Sequence, residues 1–176
     1  MKKFPLVVVL TIAALFLVNS APAPAMASGD KYQNLQTVVK FRILKPANTL
    51  GLKPLNFEIR PCRLFPKKDK YLLAGFGSTD MGIALVETAA TFNCTGVDHP
   101  QPLGTTKING VTAKIGIYCG TSTCTAASFA QHGGEITFTL PAKKPYGATY
   151  VRIGTQGGFS LKQLTAFATS LKPIIK

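Results

Sequence analysis

One dipeptide constrains what this chain can fold into more than any other feature. In Lys107-Ile108-Asn109-Gly110-Val111-Thr112 an Asn-Gly pair lies between β-forming residues, and it supplies the two positive-φ positions that a tight type I′ hairpin demands. The arm that follows alternates, with Val111, Ala113, Ile115 and Ile117 on one face and Thr112, Lys114, Gly116 and Tyr118 on the other, and the apolar face runs on into Cys119. A period of two sustained over that length predicts a half-buried antiparallel strand.

Other segments repeat the pattern. Residues 37–44 place Val39, Phe41 and Ile43 against Lys40 and Arg42, which predicts a half-buried strand or the start of the domain. Residues 55–60 and 71–76 read as two strands flanking a basic connection, and residues 135–140 and 148–154 as two more, the last burying Val151 and Ile153. Residues 81–93 are rich in Thr, Val, Ile and Phe and read as a strand, although Ala84, Ala89 and Ala90 would also suit a helix. Residues 45–54 and 96–104 are loops on their proline and glycine content. Residues 126–132 fit either a helical turn or an edge strand before the break at Gly133-Gly134.

One helix is well signalled. Ser160 is an N-cap with Gln163 at N3, a capping box, and Phe159 with Leu164 is placed to make the hydrophobic staple. Leu161, Leu164, Phe167, Ala168 and Leu171 recur on one face, and Pro173 stops further winding. The expected fold class is therefore α+β, an antiparallel sheet packed by a C-terminal helix.

The N-terminal segment reads as an address. Lys2 and Lys3 precede an apolar run over residues 6–18, and Ala21-Pro22-Ala23-Pro24-Ala25-Met26-Ala27 follows. This is the basic, apolar and small-residue order of a secretory signal peptide, with the cut expected after Ala27. A run of 13 residues falls short of the roughly 20 that a membrane-spanning helix needs. The expected organisation is a signal peptide over 1–27, a flexible lead-in over 28–36 and a single α+β domain over 37–176. The mature chain is expected to carry no transmembrane segment and to be secreted or periplasmic.

Export bears on the cysteines. All four, Cys62, Cys94, Cys119 and Cys124, lie after the expected cut, and an even count in an oxidising compartment usually means disulfides. Three connectivities exist. The short polar loop between Cys119 and Cys124 suits a local bridge, which leaves Cys62 with Cys94. A zinc site would want two close cysteine pairs or cysteines with spaced histidines, and His99 and His132 form no such pattern. A redox pair would want Cys-x-x-Cys opening a helix, which is missing.

Taken in order, Gly82-Ile83-Ala84-Leu85-Val86-Glu87, Ile108-Asn109-Gly110-Val111-Thr112-Ala113, Ile136-Thr137-Phe138, Thr149-Tyr150-Val151-Arg152-Ile153-Gly154 and residues 160–171 form a pattern. It resembles a bacterial envelope domain of unknown function related to the C-terminal part of periplasmic sigma-E/anti-sigma factor regulatory proteins. The resemblance covers residues 55–173 and its motifs are structural. It implies an antiparallel sheet backed by a closing helix, outside the cytoplasm, serving as a sensing or interaction module. Phe138 stands where that family commonly has tryptophan, and the cysteine loop also departs from the pattern. No catalytic residue carries over.

The sequence offers little to an enzyme. His99 precedes Pro100 and His132 precedes Gly133, both turn-like settings, and no Gly-x-Ser-x-Gly elbow is present. Gly75-Phe76-Gly77-Ser78-Thr79-Asp80 lacks the lysine and helix of a phosphate loop and reads as a turn. Of the seven acids, Glu58 and Glu87 are the least loop-like and would be the pair to test for a two-carboxylate site. No catalytic, metal or cofactor-binding residue is assigned, and no cofactor is expected.

The charge is the feature that asks for a partner. The chain has 20 Lys+Arg against 7 Asp+Glu, a formal +13, and after removal of residues 1–27 it keeps 18 against 7, or +11. Hydrophobic residues at 46% against 15% charged exclude a disordered polyelectrolyte. The candidate anion-binding residues are Lys40 and Arg42 on one segment and Arg60, Arg63, Lys67, Lys68 and Lys70 on one connection, with Lys143 and Lys144 in another turn. The expected function is a non-enzymatic envelope interaction or sensor-type module. The alternative is a basic binder of anionic lipid, cell-wall polymer or extracellular nucleic acid. Nucleic acid ranks lower because base-stacking aromatics are not evident.

Overall fold

The computed structural model describes residues 31–62, 69–90, 94, 100–120 and 124–174. The expected signal peptide, Arg63, Lys67, Lys68 and His99 lie outside them.

Seven strands form one antiparallel sheet: β2 (Pro54–Pro61), β3 (Lys70–Gly77), β4 (Gly82–Ala89), β5 (Gln101–Ile108), β6 (Val111–Ile117), β7 (Gly134–Leu140) and β8 (Thr149–Thr155), in the order β2-β3-β4-β8-β7-β6-β5. A second sheet of two strands pairs β1 (Leu44–Pro46) with β9 (Leu171–Pro173). Three helices complete the described chain: α1 (Lys31–Gln36), α2 (Phe129–His132), entered by a 3-10 turn at Ala126–Ser128, and α3 (Leu161–Thr169). The Asn109-Gly110 turn joins β5 to β6 with φ of 48° and 85°, the pair of positive values its sequence demands.

Register sorts the sheet into two faces. Leu72, Glu87, Val151 and Phe138 form one rung across β3, β4, β8 and β7, and Ala74, Leu85, Ile153 and Ile136 form the next, which Ile115 of β6 extends. Nearly all are fully buried, and α3 adds Leu164, Phe167 and Ala168 to the same core, with Phe167 edge-on to Phe76. The Ser160–Gln163 capping box forms, so the start of α3 lies where the sequence puts it. The opposite face carries the alternate rung, with Leu73, Val86, Arg152 and Thr137.

Both disulfides pair as preferred. Cys62, just after β2, joins Cys94 with Cα atoms 4.8 Å apart, and Cys119 joins Cys124 across 6.4 Å.

Four local expectations are corrected. Residues 31–36, read as part of a lead-in, form α1, because Tyr32 and Leu35 pack on a small second core of Val39, Phe41, Ile43 and Leu72. Residues 37–43 bury Val39, Phe41 and Ile43 as their alternation requires, yet they form a strap, and the ladder strand β1 begins only at Leu44 and runs into Lys45 and Pro46, which were read as loop. Buried side chains take the place of the missing neighbour strand. Gln36 Nε2 donates to Phe41 O at 2.7 Å, Ile43 N donates to Gln36 Oε1 at 2.7 Å, Arg42 N donates to Thr149 Oγ1 at 3.0 Å, and Leu44 N donates to Glu87. Residues 101–104, read as loop, belong to β5, an edge strand whose bulge between Pro102 and Gly104 accommodates a residue that cannot donate. Pro173 does not simply end the helix, since the chain leaves α3 into β9 and Pro173 pairs with Leu44.

Candidate functional site

The strands place their ends in register, and that brings together basic residues far apart in sequence. β2 closes on Arg60 and Pro61, opposite Tyr71 and Lys70 at the start of β3. β4 closes on Ala89, opposite Thr149, which also faces Leu140 at the end of β7. The strap crosses this end of the sheet, where Gly147 N donates to Lys40 O at 3.0 Å, and the turn holding Lys143 and Lys144 is closed by mutual backbone bonds between Lys143 and Tyr146. Lys40, Arg60, Lys70, Lys143 and Lys144 are all exposed and share this one end.

The members differ in how free they are to meet an anion. Arg60 is engaged by Glu58 in a surface ion pair at 2.5 Å, and that hydrogen bond holds its guanidinium further toward the charged form. Arg42 Nη2 donates to Pro141 O at 2.6 Å, and Nε is buried with no hydrogen-bond partner among the described residues. Arg42 thereby clamps the strap to the end of β7. Lys45 has its ammonium 5.3 Å from the centre of the Tyr32 ring.

The two carboxylates that could have formed a catalytic pair do not meet. Glu58 faces the rung of Leu73 and Val86, whereas Glu87 lies on the rung of Leu72, so they occupy opposite faces with β3 between them. Glu87 is fully buried, with both oxygens 3.0 to 3.1 Å from Leu44 N. Desolvation raises its carboxyl well above the ordinary range, opposed by that one backbone bond. Its carboxyl anchors the strap through that bond.

A second polar cluster lies on the opposite face and was not foreseen. Arg152 Nε donates to Glu135 Oε2 at 2.5 Å, Tyr118 OH donates to the same oxygen at 2.6 Å, and Arg152 Nη2 donates to Tyr118 OH at 2.9 Å. Burial, followed by the bond to Glu135, pushes the Tyr118 hydroxyl above its ordinary value, so the phenol stays protonated near neutral pH. The three groups satisfy one another, the arrangement of a structural network. Alternation placed Glu135, Tyr118 and Arg152 on strand faces, but three-strand adjacency needed the order β8-β7-β6.

A groove of about 400 Å³ lies at the other end of β2, lined by Lys31, Tyr32, Lys45, Pro54, Leu55, Asn56, Phe57 and Phe76. Of these only Lys45 was noted from the sequence, as a cation at the exit of the first alternating segment, and half of the lining comes from segments read as lead-in or loop.

Comparison with protein-family models, curated proteins and solved structures found no match. No group of three or more His, Cys, Asp or Glu residues among the described residues is placed to hold a metal ion, and no described helix is long and apolar enough to cross a membrane.

Proposed function

We propose that this protein is an exported, non-enzymatic envelope module, an antiparallel sheet backed by its closing helix, that engages an anionic envelope surface through the basic end of that sheet. One observation carries the reading: Lys40, Lys70, Lys143 and Lys144 come from three separate parts of the chain, and the register of the strands, with the strap bond from Gly147 N to Lys40 O, brings them to one end in exposed positions. Each such cation is worth roughly 1 kcal/mol near an anionic surface. The two disulfides support export, since such bridges persist in oxidising compartments. The resemblance to the periplasmic regulatory module points the same way.

The test is co-sedimentation with phosphatidylcholine vesicles, with and without phosphatidylglycerol, at about 0.15 M salt and at higher salt where exposed charges are screened. Binding that needs the anionic lipid, falls with salt, and is lost in a K40E/K70E/K143E variant is the expected outcome. Equal binding by variant and parent would remove this surface from consideration.

A protein partner is the second reading, favoured by the outer position of β2. That strand pairs with β3 on one side and ends the sheet on the other, which leaves a row of backbone groups suited to strand addition. Capture from envelope extract of one protein that survives high salt would select it over the charged surface.

A further inference from the structure

The seven-stranded sheet has two edges, and they are not alike. β5 carries the devices that keep an edge from pairing: Pro102, the bulge between Pro102 and Gly104, and the exposed Lys107. β2 keeps its prolines at its two ends, Pro54 and Pro61, and from Asn56 to Pro61 its ladder with β3 runs without a bulge. Which of its backbone groups face outward follows from one bond. Cys62 N donates to Asp69 O at 2.8 Å, so the backbone of Cys62 is turned toward β3, and alternation along an antiparallel strand turns Arg60, Glu58 and Asn56 the same way. The N–H and C=O groups of Phe57 and Ile59 and the C=O of Pro61 therefore point away from the sheet, Pro61 lacking only a donor that the ladder does not use. No described residue bonds to those groups.

The side chains make this strand self-complementary. Glu58 and Arg60 stand two residues apart on the face opposite the core, with side chains 43% and 47% exposed. Ile59 between them turns to the core face, half-buried beside Phe57. An antiparallel strand of a second copy, related by a two-fold axis through Ile59, sets Glu58 opposite the partner's Arg60 and Arg60 opposite the partner's Glu58. Both pairs fall between hydrogen-bonded pairs, where side chains of neighbouring strands come closest. In that register the two Ile59 residues exchange both backbone bonds, and Phe57 N donates to the partner's Pro61 O. An axis at Glu58 or at Arg60 instead sets like charges against each other, which is destabilising. An axis at Phe57 draws in Leu55, where the ladder shifts register.

We propose that β2 is where a second copy of this chain adds, antiparallel about a two-fold axis at Ile59, with Glu58 paired to the partner's Arg60 on both sides of the axis. The proposal rests on the second reading above, that β2 is an open edge, and names its occupant. Vesicle binding is tested at Lys40, Lys70 and Lys143, none of which takes part in the pairing, so its loss leaves the proposal standing. A chain that stays monomeric leaves strand addition by a different envelope protein to the capture experiment.

Sedimentation velocity of the exported protein, from micromolar to millimolar concentration at about 0.15 M salt, tests the proposal. A reversible dimer that grows with concentration is expected in the parent. E58R and R60E each set like charges across the axis, and each alone should dimerise more weakly by roughly tenfold or more. An equimolar mixture of the two variants should recover the parent's dimer, because the charges across the axis are then opposite again, a recovery that damaged folding cannot produce. In the parent alone, amide hydrogen exchange at Phe57 and Ile59 should slow as protein concentration rises, while Glu58 and Arg60, whose amides face β3, stay unchanged. A parent that sediments as monomer throughout, a dimer that both variants leave intact, a mixture no stronger than its components, or exchange at Phe57 and Ile59 that ignores concentration would each overturn the proposal.

Discussion

Glu87 is the residue whose surroundings most sharply constrain behaviour. It sits on the core face of β4 with one backbone N–H, that of Leu44, for both oxygens, and burial raises its carboxyl well above the ordinary value of 4.5. Above that value the unfolded chain has released the proton that the folded chain still holds, so folded stability falls with rising pH. Its contribution is complete below about 4.5 and is lost as pH climbs through the folded value. Denaturant melts between about pH 4 and 8 should show this decline in the parent. Glu87→Gln, which keeps an acceptor for Leu44 N and cannot ionise, should flatten it, and equal slopes in the two proteins would refute the assignment. Gly134 is a second such position. A Cβ there would meet the fully buried Phe129 ring at 2.5 to 2.8 Å and crowd the carbonyl of Gly116. Gly134→Ala should therefore cost about 1–3 kcal/mol in the same melts, the usual penalty of overpacking.

At the scale of elements, α3 offers the cleanest measurement. Ser160 Oγ accepts from Gln163 N, and Gln163 Oε1 accepts from Ser160 N at 2.9 Å. Ser160→Ala should lose about 1 kcal/mol of stability, read as a lower midpoint with unchanged m-value. This helix start was legible because capping is local: four residues carry the whole signal. Strands β2, β3, β6, β7 and β8 were legible for a similar reason, since a period of two needs no knowledge of the partner. The strap was misread because the same period is satisfied by any extended segment with one buried face. What decides between strand and strap is whether the neighbour is another backbone or the side chains of Gln36, Glu87 and Thr149, which lie up to 107 residues away. The groove was illegible on the same grounds. Lys31 and Tyr32 acquire meaning when α1 is laid beside β2, and nothing within either segment announces the meeting. Arg42 alternates with the buried Phe41 and Ile43 as the sequence indicates, but its Nη2 bond to Pro141 O could not be read from the segment alone.

At the scale of the molecule, the two disulfides divide the work unequally. Cys119–Cys124 closes a loop of sequence separation 5 and Cys62–Cys94 one of 32, which on the chain-entropy model corresponds to about 2 and about 4 kcal/mol. Replacing Cys62 and Cys94 together by serine should therefore lower the unfolding midpoint by more than the same change at Cys119 and Cys124. A larger loss from the short loop would show that the bridges act through local structure and not through the unfolded chain. Long-range organisation also explains the charge pattern. Of the described acids, Glu87 is buried under the strap and Glu135 is occupied by Arg152 and Tyr118, so the surface is left to lysines to a greater degree than composition suggests. The strap adds a consequence in time. It precedes Glu87, Thr149 and the β9 partner of Leu44 along the chain, so a polypeptide emerging N-terminus first presents Val39, Phe41 and Ile43 before the surface that receives them has been made. Until β9 arrives, those side chains have α1 and the first strands of the sheet for company but lack the residues that close over them, and part of their apolar surface stays open to solvent.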